Sequence, residues 1–327
     1  MTRVSRREAV KRVAGAAAGL ALGDGILLGQ SEEILVAGKR VELLVRSIGP
    51  STVRITAVPV QTTERPDDDS LVVAARGRIV ARRRGRSNQP IRAGNLTVRI
   101  TAGPPSIRID TVAGKPIQRL TLDPASPSVS FLPGTGPLLG LGEGGPQFDR
   151  KGIVDRGRNG QGGYQLRTHG GRVPIQWLVG TDGWGMFIHQ PLGAIDLTGS
   201  EGRLTASVDA PPLDVFVSAS SDPLDIIGEY ATITGHAELP ARWTFGYMQS
   251  HRTLAGPDEV KWVAKTLREK RLPCDALIYL GTEFTPSGWN TRNGEFTWKK
   301  ENFPNPQQMI DDLHAQHFHV VLHDPPA

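Results

Sequence analysis

Side chains that could bind a polar ligand follow three short apolar runs in the last third of the chain. His251 and Arg252 follow the first run, Glu283 and Trp289 lie in the loop after the second, and Asp324 follows the third. An imidazole or a guanidinium can bind hydroxyl groups or an anion, and a carboxylate accepts hydrogen bonds from hydroxyl groups. We treat these five residues as candidates for substrate binding. Two plainer interpretations stay open: a structural ion pair for His251 and Arg252, and a solvated loop carboxylate for Glu283.

The sequence predicts neither a cofactor nor a metal site. No group of His, Cys, Asp and Glu has the spacing of metal ligands. The glycine-rich segment 139–145 lacks the Gly-Lys-Ser/Thr ending of a phosphate-binding loop, and we expect a tight loop there. The single cysteine, Cys274, excludes a disulfide scaffold within these residues and is expected in the core.

The candidate residues must be positioned by the elements that precede them. Apolar runs at 244–250, 275–280 and 319–322 are typical of short buried strands. Two helical patterns separate them, so the order is strand, helix, strand, helix, strand, which predicts a parallel βαβαβ unit. Functional groups gather at the carboxyl ends of the strands in such units, and the candidates follow these ends.

Each of the two helical patterns has one apolar face. The first helix is predicted to begin at Pro257, with acidic residues in its first turn, and to end at Pro273. Its apolar residues recur at the helical period, and those of the second helix point inward in the same way. These residues are Val260, Val263, Ala264 and Leu267 in the first helix, and Met309, Ile310 and Leu313 in the second.

The longer part of the chain, 32–239, has the pattern of a β-sheet protein. Runs such as Asn95–Ile100 and Ser106–Asp110 alternate polar and apolar residues. The 38 glycines and 25 prolines among 327 residues agree with many turns between short strands. Regular short strands separated by turns predict a β-sandwich. Three aromatic residues beside the expected Asp-Gly hairpin turn are predicted to lie in its core: Trp177, Trp184 and Phe187.

The charge distribution argues against nucleic acid as a partner. The formal net charge is +5, and residues 1–30 hold five basic and two acidic residues, so most of the excess lies there. The densest run of arginines, 76–86, has no aromatic residue between them. Stacking on bases therefore has no support, and the run is better explained as a solvated hairpin.

The first 30 residues resemble an export signal. Arg6 and Arg7 precede an apolar stretch, Val13–Leu28, as in twin-arginine signals. Gly23-Asp24-Gly25 interrupts the stretch, so we expect no stable membrane span. The sequence predicts an exported protein, periplasmic or extracellular, and an amphipathic N-terminal helix is the plainer alternative.

Several stretches together resemble glycoside hydrolase family 31, the α-glucosidase and α-xylosidase family. Each motif alone is modest, but their order makes the match specific, and the resemblance covers roughly residues 32–327. The matching stretches are Leu139–Glu143, Leu224–Gly235, Leu239–Ser250, Phe303–Pro306 and Met309–His314.

The resemblance implies a β-sandwich of the galactose mutarotase type, followed by the first three strands of a truncated (β/α)8 TIM barrel. The domains would be a signal segment at 1–30, the sandwich at 31–240 and the partial barrel at 241–327. The implied activity is that of a retaining α-glycoside hydrolase acting on α-linked oligosaccharides or glycosides. One aspartate would attack the anomeric carbon, and a second carboxylic acid would protonate the leaving oxygen.

The chain departs from the family pattern in two ways. The family's nucleophile follows barrel strand four and its acid lies further on, so both catalytic residues are expected downstream of Ala327 and the isolated chain is expected to be inactive. The family's sugar-binding aspartate at the end of strand two falls on Leu280 or Gly281, and Glu283 could replace it. Two alternatives stay open: a non-catalytic carbohydrate-binding protein that uses the sandwich, and a partner chain that completes the barrel.

Overall fold

The computed structural model describes residues 33–60, 71–72, 76–85, 87–101, 103–145, 147–156, 173–189, 193–206, 213–251, 254–279, 284 and 297–322. The chain divides into two compact units, residues 1–236 and 237–327. Within these described ranges, the first unit holds two antiparallel sheets and a helix, and the second holds a small parallel sheet with two helices.

The first sheet of the first unit has eight strands within the described residues, in the order β1-β2-β3-β16-β13-β12-β10, with β4 also paired to β2. All its pairings are antiparallel. Its strands are β1 Leu35–Val36, β2 Lys39–Ser47, β3 Thr52–Pro59, β4 Arg78–Arg83, β10 Leu138–Glu143, β12 Val173–Gly180, β13 Trp184–Ile188 and β16 Leu213–Ala219.

The second sheet is also antiparallel, and its described strands follow the order β11-β14-β15-β9-β8-β7-β6-β5. Side chains alternate along these strands, so every second residue faces the apolar core. Its strands are β5 Ser87–Ala93, β6 Leu96–Thr101, β7 Ser106–Thr111, β8 Pro116–Leu122, β9 Ser128–Phe131, β11 Val154–Asp155, β14 Gly193–Asp196 and β15 Gly202–Ala206.

One apolar core joins the two sheets, which confirms the predicted sandwich. Its buried residues come from both, for example Val45 and Ile55 from the first and Val98 and Leu120 from the second. Phe131 of β9 meets Trp184 of β13 edge to face, with ring centroids 6.3 Å apart. Trp184 is therefore a core residue, as predicted.

A helix, α1, covers the outer side of the first sheet and was not predicted. It spans Pro223–Thr234, whereas the sequence pattern indicated only strands over 32–239. Asp222 caps it, since its carboxylate accepts a hydrogen bond from the Leu224 amide at 2.8 Å. Ile226 and Ile233 pack in a second apolar cluster, which includes Trp177, Phe187, Phe216 and Tyr230. Trp177 and Phe187 are therefore buried under α1 and not in the core between the two sheets, where they were predicted.

The glycine-rich segment 139–145 forms most of a strand, so the expected tight loop was wrong. Its residues 139–143 belong to β10, which pairs with β12 and shifts register between Gly140 and Gly142. Both glycines have positive φ, 97° and 87°. A Cβ on either would lie 2.3 Å or less from a carbonyl oxygen of β12, so the expected close approach of backbone to backbone is observed.

The arginine run lies largely on a strand of the first sheet. Arg82 and Arg84 both bond Glu42, at 3.1 and 2.8 Å, and their side chains are 47% and 69% exposed. Burial raises the pKa of Glu42, but the hydrogen bonds from Arg84 and Arg82 outweigh it, so this pKa is lowered. These exposed pairs agree with a solvated surface, but the expected hairpin was wrong: β4 pairs with β2, and the next strand, β5, belongs to the second sheet.

The second unit has the predicted order of strand, helix, strand, helix, strand. Strands β17 Met248–His251, β18 Ala276–Tyr279 and β19 His319–Leu322 are parallel neighbours. Helix α2, Pro257–Glu269, follows β17, and helix α3, Pro306–Ala315, follows β18. The first predicted strand begins four residues late, because Arg242–Phe245 form a 3-10 turn.

The two helices and the sheet share one apolar cluster. Of the predicted inward residues, Val260, Ala264, Met309 and Leu313 are buried, and Val263, Leu267 and Ile310 pack partly buried against them. Cys274 is also buried here, 4% exposed, as predicted. Helix α2 ends at Glu269 rather than at Pro273.

Candidate functional site

The carboxyl ends of the three parallel strands form one edge of the small sheet. The register pairs His251 with Tyr279 and Tyr279 with Leu322, so the last residues of β17, β18 and β19 lie in one row. Chain segments that leave this row therefore begin side by side. The edge is the candidate functional site, because the predicted binding residues follow it.

Four of the five predicted residues fall outside the described part of the chain. Arg252 is the residue after the row on β17, Glu283 follows Tyr279 by four positions, and Asp324 follows Leu322 by two. Trp289 lies further along the loop after β18. Their roles stay predictions.

His251 is half-buried at the end of β17, and alternation places it on the side of the sheet that carries the helices. Leu277 and Val320 belong to the apolar cluster with α2 and α3. The register places Gln249 in the same row as these two residues. Because side chains alternate along a strand, His251 shares the side of Gln249. Its imidazole therefore lies on the helix side of this edge.

Ser250 lies on the other side of the sheet, and the sequence analysis did not identify it. It shares a row with Ile278 and Val321, away from the helices, and is exposed. A hydroxyl can both donate and accept a hydrogen bond. Because side chains alternate along a strand, Ser250 could have been assigned to the side opposite Leu277. That assignment needs the register between β17 and β18, which the sequence does not give.

The opposite edge of the sheet is closed by an aromatic stack. Trp243, in the 3-10 turn, stacks on His319 with ring centroids 4.2 Å apart and ring planes at 17°. A groove of about 610 Å³ lies beside it and is lined by Arg242, Phe245 and Asp275. The stack packs the amino-terminal edge, so the polar candidates and this aromatic pair lie at different edges.

A second cleft lies on the sandwich, beside the irregular strand β10. It has a volume of about 460 Å³, and its lining includes Glu143, Phe148 and Arg150. Arg150 is buried and donates to the carbonyl oxygens of Gly140 and Gly142 at 3.0 and 3.1 Å. The arginine thereby holds the irregular backbone in place. Phe148 is 73% exposed and supplies an aromatic surface next to the Glu143 carboxylate.

Several buried polar side chains of the first unit form a network around Asp214. The Arg54 guanidinium bonds both carboxylate oxygens, at 3.0 and 2.8 Å, and His189 Nδ1 lies 2.7 Å from Oδ2. Thr56 donates to Oδ1 at 2.9 Å. Burial raises the pKa of Asp214, but the hydrogen bonds from His189 and Arg54 outweigh it, so this pKa lies below its ordinary value. The network fastens β3, β13 and β16 together.

No group of three or more His, Cys, Asp and Glu residues in the described ranges is arranged to hold a metal ion. None of the helices in this part of the chain has the length and hydropathy needed to cross a membrane.

The second unit matches a known family of domains. Residues 237–327 match the model of the "Glycosyl hydrolases family 31 TIM-barrel domain". The match covers all three parallel strands and both helices that carry the candidate site.

Curated relatives agree with this match. The chain is 28% identical over 144 residues to an α-xylosidase of Saccharolobus solfataricus. The aligned segment covers 43% of this chain and 19% of that protein. It is 34% identical over 115 residues to α-glucosidase 2 of Bacillus thermoamyloliquefaciens. This aligned segment covers 35% of this chain and 14% of that protein. The chain thus spans less than a fifth of the length of these two relatives.

Solved structures share the fold over most of the chain. A dextranase of Flavobacterium johnsoniae superposes with a TM-score of 0.68 at 18% identity, over 89% of this chain and 38% of that one. A xylosidase of Aspergillus niger gives a TM-score of 0.69 at 15% identity, over 88% of this chain and 44% of that one. Residues 237–327 belong to the barrel domain of glycoside hydrolase family 31, the family that the motifs predicted.

Proposed function

We propose that this chain is part of a retaining α-glycoside hydrolase that acts on α-linked glucosides or xylosides. The observation that carries the proposal is the parallel βαβαβ unit at 237–327, which matches the family-31 barrel domain and aligns three strand ends in one row. The curated relatives are named as an α-xylosidase and an α-glucosidase. The alternative, a non-catalytic carbohydrate-binding sandwich, is less favoured because the matched domain is the barrel.

The three parallel strands are, in this proposal, the first three of a (β/α)8 barrel, and the sandwich is of the galactose mutarotase type. Substrate would lie at the carboxyl ends of the strands, as in barrel enzymes generally. The face that carries Ser250, Ile278 and Val321 would line the barrel interior, because the opposite face packs on the helices.

Each candidate residue has a specific task in this proposal. His251 and Arg252 would donate hydrogen bonds to sugar hydroxyls, and Glu283 and Asp324 would accept them. Trp289 would stack on a sugar ring. Retention needs two carboxyl groups about 5–5.5 Å apart, one as nucleophile and one as acid and then base. The sequence analysis expects that pair beyond Ala327, so the residues named here bind and orient the sugar.

Replacing His251 by alanine is expected to lower kcat/KM for α-glycosides about tenfold or more, because a hydrogen bond to the substrate is lost. The measurement is hydrolysis of p-nitrophenyl α-glucoside and α-xyloside by the product of the whole reading frame that contains this chain. His314→Ala, an exposed histidine on α3, is the matched control and should leave kcat/KM unchanged.

Three outcomes would contradict parts of this proposal. Equal activity of the His251 and His314 variants would remove His251 from the substrate site. Sugar binding without hydrolysis by the whole product would favour the non-catalytic alternative. Hydrolysis by the 327-residue chain alone would contradict the expectation that its catalytic carboxylates lie beyond Ala327.

We also propose that residues 1–30 direct export by the twin-arginine route. The support is the pair Arg6 and Arg7 before an apolar stretch. Residues 1–30 fused to a folded fluorescent reporter should carry it across the bacterial inner membrane, and Arg6→Lys with Arg7→Lys should abolish this in fractionation experiments. Export that survives the double substitution, or a reporter retained by both fusions, would contradict this proposal.

A further inference from the structure

The outer side of the second sheet carries a row of arginines. The register pairs Arg99 of β6 with Arg108 of β7, and Arg108 with Arg119 of β8. Neighbouring strands lie about 4.8 Å apart, so the row places one guanidinium on each strand at that spacing. The three side chains are 47%, 56% and 49% exposed. Like charges directly opposite each other destabilise a sheet, so this row costs stability unless something offsets it.

Acidic neighbours offset only part of the positive charge. The Asp110 carboxylate accepts hydrogen bonds from both Arg99 and Arg108, at 2.8 Å each, so two guanidinium groups share one carboxylate. Arg119 bonds Glu201 at 2.9 Å. Arg108 uses its Nε for Asp110, and its two terminal nitrogens have no protein partner among the described residues. A surplus positive charge with two outward donors therefore remains in the middle of the row.

A row of hydroxyl groups runs beside the arginines. It lies two residues further along the strands and is formed by Thr101, Ser106, Thr121 and Ser130 on four adjacent strands. Thr101 and Ser106 hydroxyls lie 2.7 Å apart. The row continues to Arg203 of β15, which pairs with Ser130 and is exposed. Asp196 of β14 lies opposite Arg203 and offsets part of its charge, so the surplus positive charge lies at Arg99, Arg108 and Arg119. We call these two rows, with Arg203, the arginine face.

We propose that the arginine face binds a linear polyuronate, a polysaccharide with a carboxylate on each sugar. The chain would lie across the strands, so that successive carboxylates meet successive guanidinium groups. The hydroxyl row would bond the sugar hydroxyls. The described residues on this side of β5 to β9, β14 and β15 include no aromatic side chain, so neither base stacking nor ring stacking contributes. Charge pairing must then supply the selectivity, and a neutral glucan lacks the charge.

The test is isothermal titration of the 327-residue chain with polygalacturonate in 50 mM sodium chloride, with dextran as the neutral comparison. Arg108→Gln combined with Arg203→Gln is expected to lower the affinity at least tenfold. Arg78→Gln combined with Arg271→Gln removes two exposed arginines elsewhere and should change the affinity less than twofold. Arg108→Lys with Arg203→Lys keeps the charge and should retain most of the affinity. Added salt should lower the affinity of the unsubstituted chain for polygalacturonate more steeply than that of the glutamine variant.

Four results would overturn the inference. An equal loss in the Arg78 and Arg271 variant would show attraction by net charge alone. Binding of dextran as tight as that of polygalacturonate would show that the arginine face does not recognise carboxylates. Tighter binding of a single-stranded DNA of the same length, lost in the glutamine variant, would assign the face to nucleic acid. Full affinity in the glutamine variant would remove the arginine face from any binding.

Discussion

Asp214→Ala is expected to lower the free energy of unfolding of the sandwich by about 3–5 kcal/mol, because it leaves a buried guanidinium without its carboxylate. The Arg54 and Asp214 side chains are only 5% and 6% exposed and bond through two nitrogen–oxygen contacts. His189 and Thr56 lose the same partner. Urea unfolding followed by circular dichroism measures the effect.

Two control substitutions test whether the loss of stability comes from leaving a buried charge without its partner. Replacing both partners together, Arg54→Met with Asp214→Leu, removes the stranded charge and should recover much of the lost stability, since apolar pairs of similar volume often replace buried ion pairs at little cost. Glu33→Ala breaks an exposed pair with Arg40, whose side chains are 51% and 68% exposed. That change should cost less than about 1 kcal/mol. Equal losses for Asp214→Ala and Glu33→Ala would contradict the argument from burial.

The effect of Asp214→Ala should depend on pH in a defined direction. The pKa of Asp214 is lowered in the folded state from its ordinary value of 3.8, since the hydrogen bonds from His189 and Arg54 outweigh burial. Its ionised form therefore adds stability above pH 3.8, and that stability is lost as the pH falls through the lowered pKa. The penalty of the substitution should therefore shrink as the pH falls below 3.8.

Leu313→Ala is expected to lower the free energy of unfolding of the second unit by about 2–5 kcal/mol, because it leaves a cavity between α3 and the small sheet. Leu313 is fully buried in the cluster that also holds Leu277 and Phe318. The loss should speed hydrogen exchange of the amides in β18 and β19, which pair with each other along their whole length. Exchange measured by mass spectrometry tests this.

The effect should reach the candidate site as well. The row of His251, Tyr279 and Leu322 depends on the packing of this sheet, so a loosened sheet would weaken any ligand bound at its carboxyl edge. Asp311→Ala on the exposed side of the same helix removes only a bond from Gln307 and is the matched control. Unchanged exchange in β18 and β19 of the Leu313 variant would show that the helix does not hold the sheet.

Local patterns were sufficient for the parallel unit. The apolar residues of α2 and α3 recur at the helical period, and the intervening strands are short and apolar, so each element could be assigned from its own residues. Helix α1 was missed because Leu224 and Ile227 are exposed, and its two buried residues, Ile226 and Ile233, do not by themselves mark a helical face. Its position depends on Asp222 capping it and on aromatic residues of the first sheet.

Spacing alone could not show that segment 139–143 is a strand. Gly140 and Gly142 are typical of a loop, and only the pairing of β10 with β12 shows that the chain stays in the sheet there. In the same way, His251 could be placed at a strand end from sequence, but its side of the sheet needed the register with Leu277.

The amino-acid sequence by itself determined the sandwich, the βαβαβ order and the family, because these depend on periodicity and on motifs that are local along the chain. Tertiary structure decided which distant residues meet. Arg54 and Asp214 lie 160 positions apart, and the arginines of β6, β7 and β8 form a row only because antiparallel register aligns them. Register is set by how the whole sheet packs on its core, so no single segment of the sequence carries it.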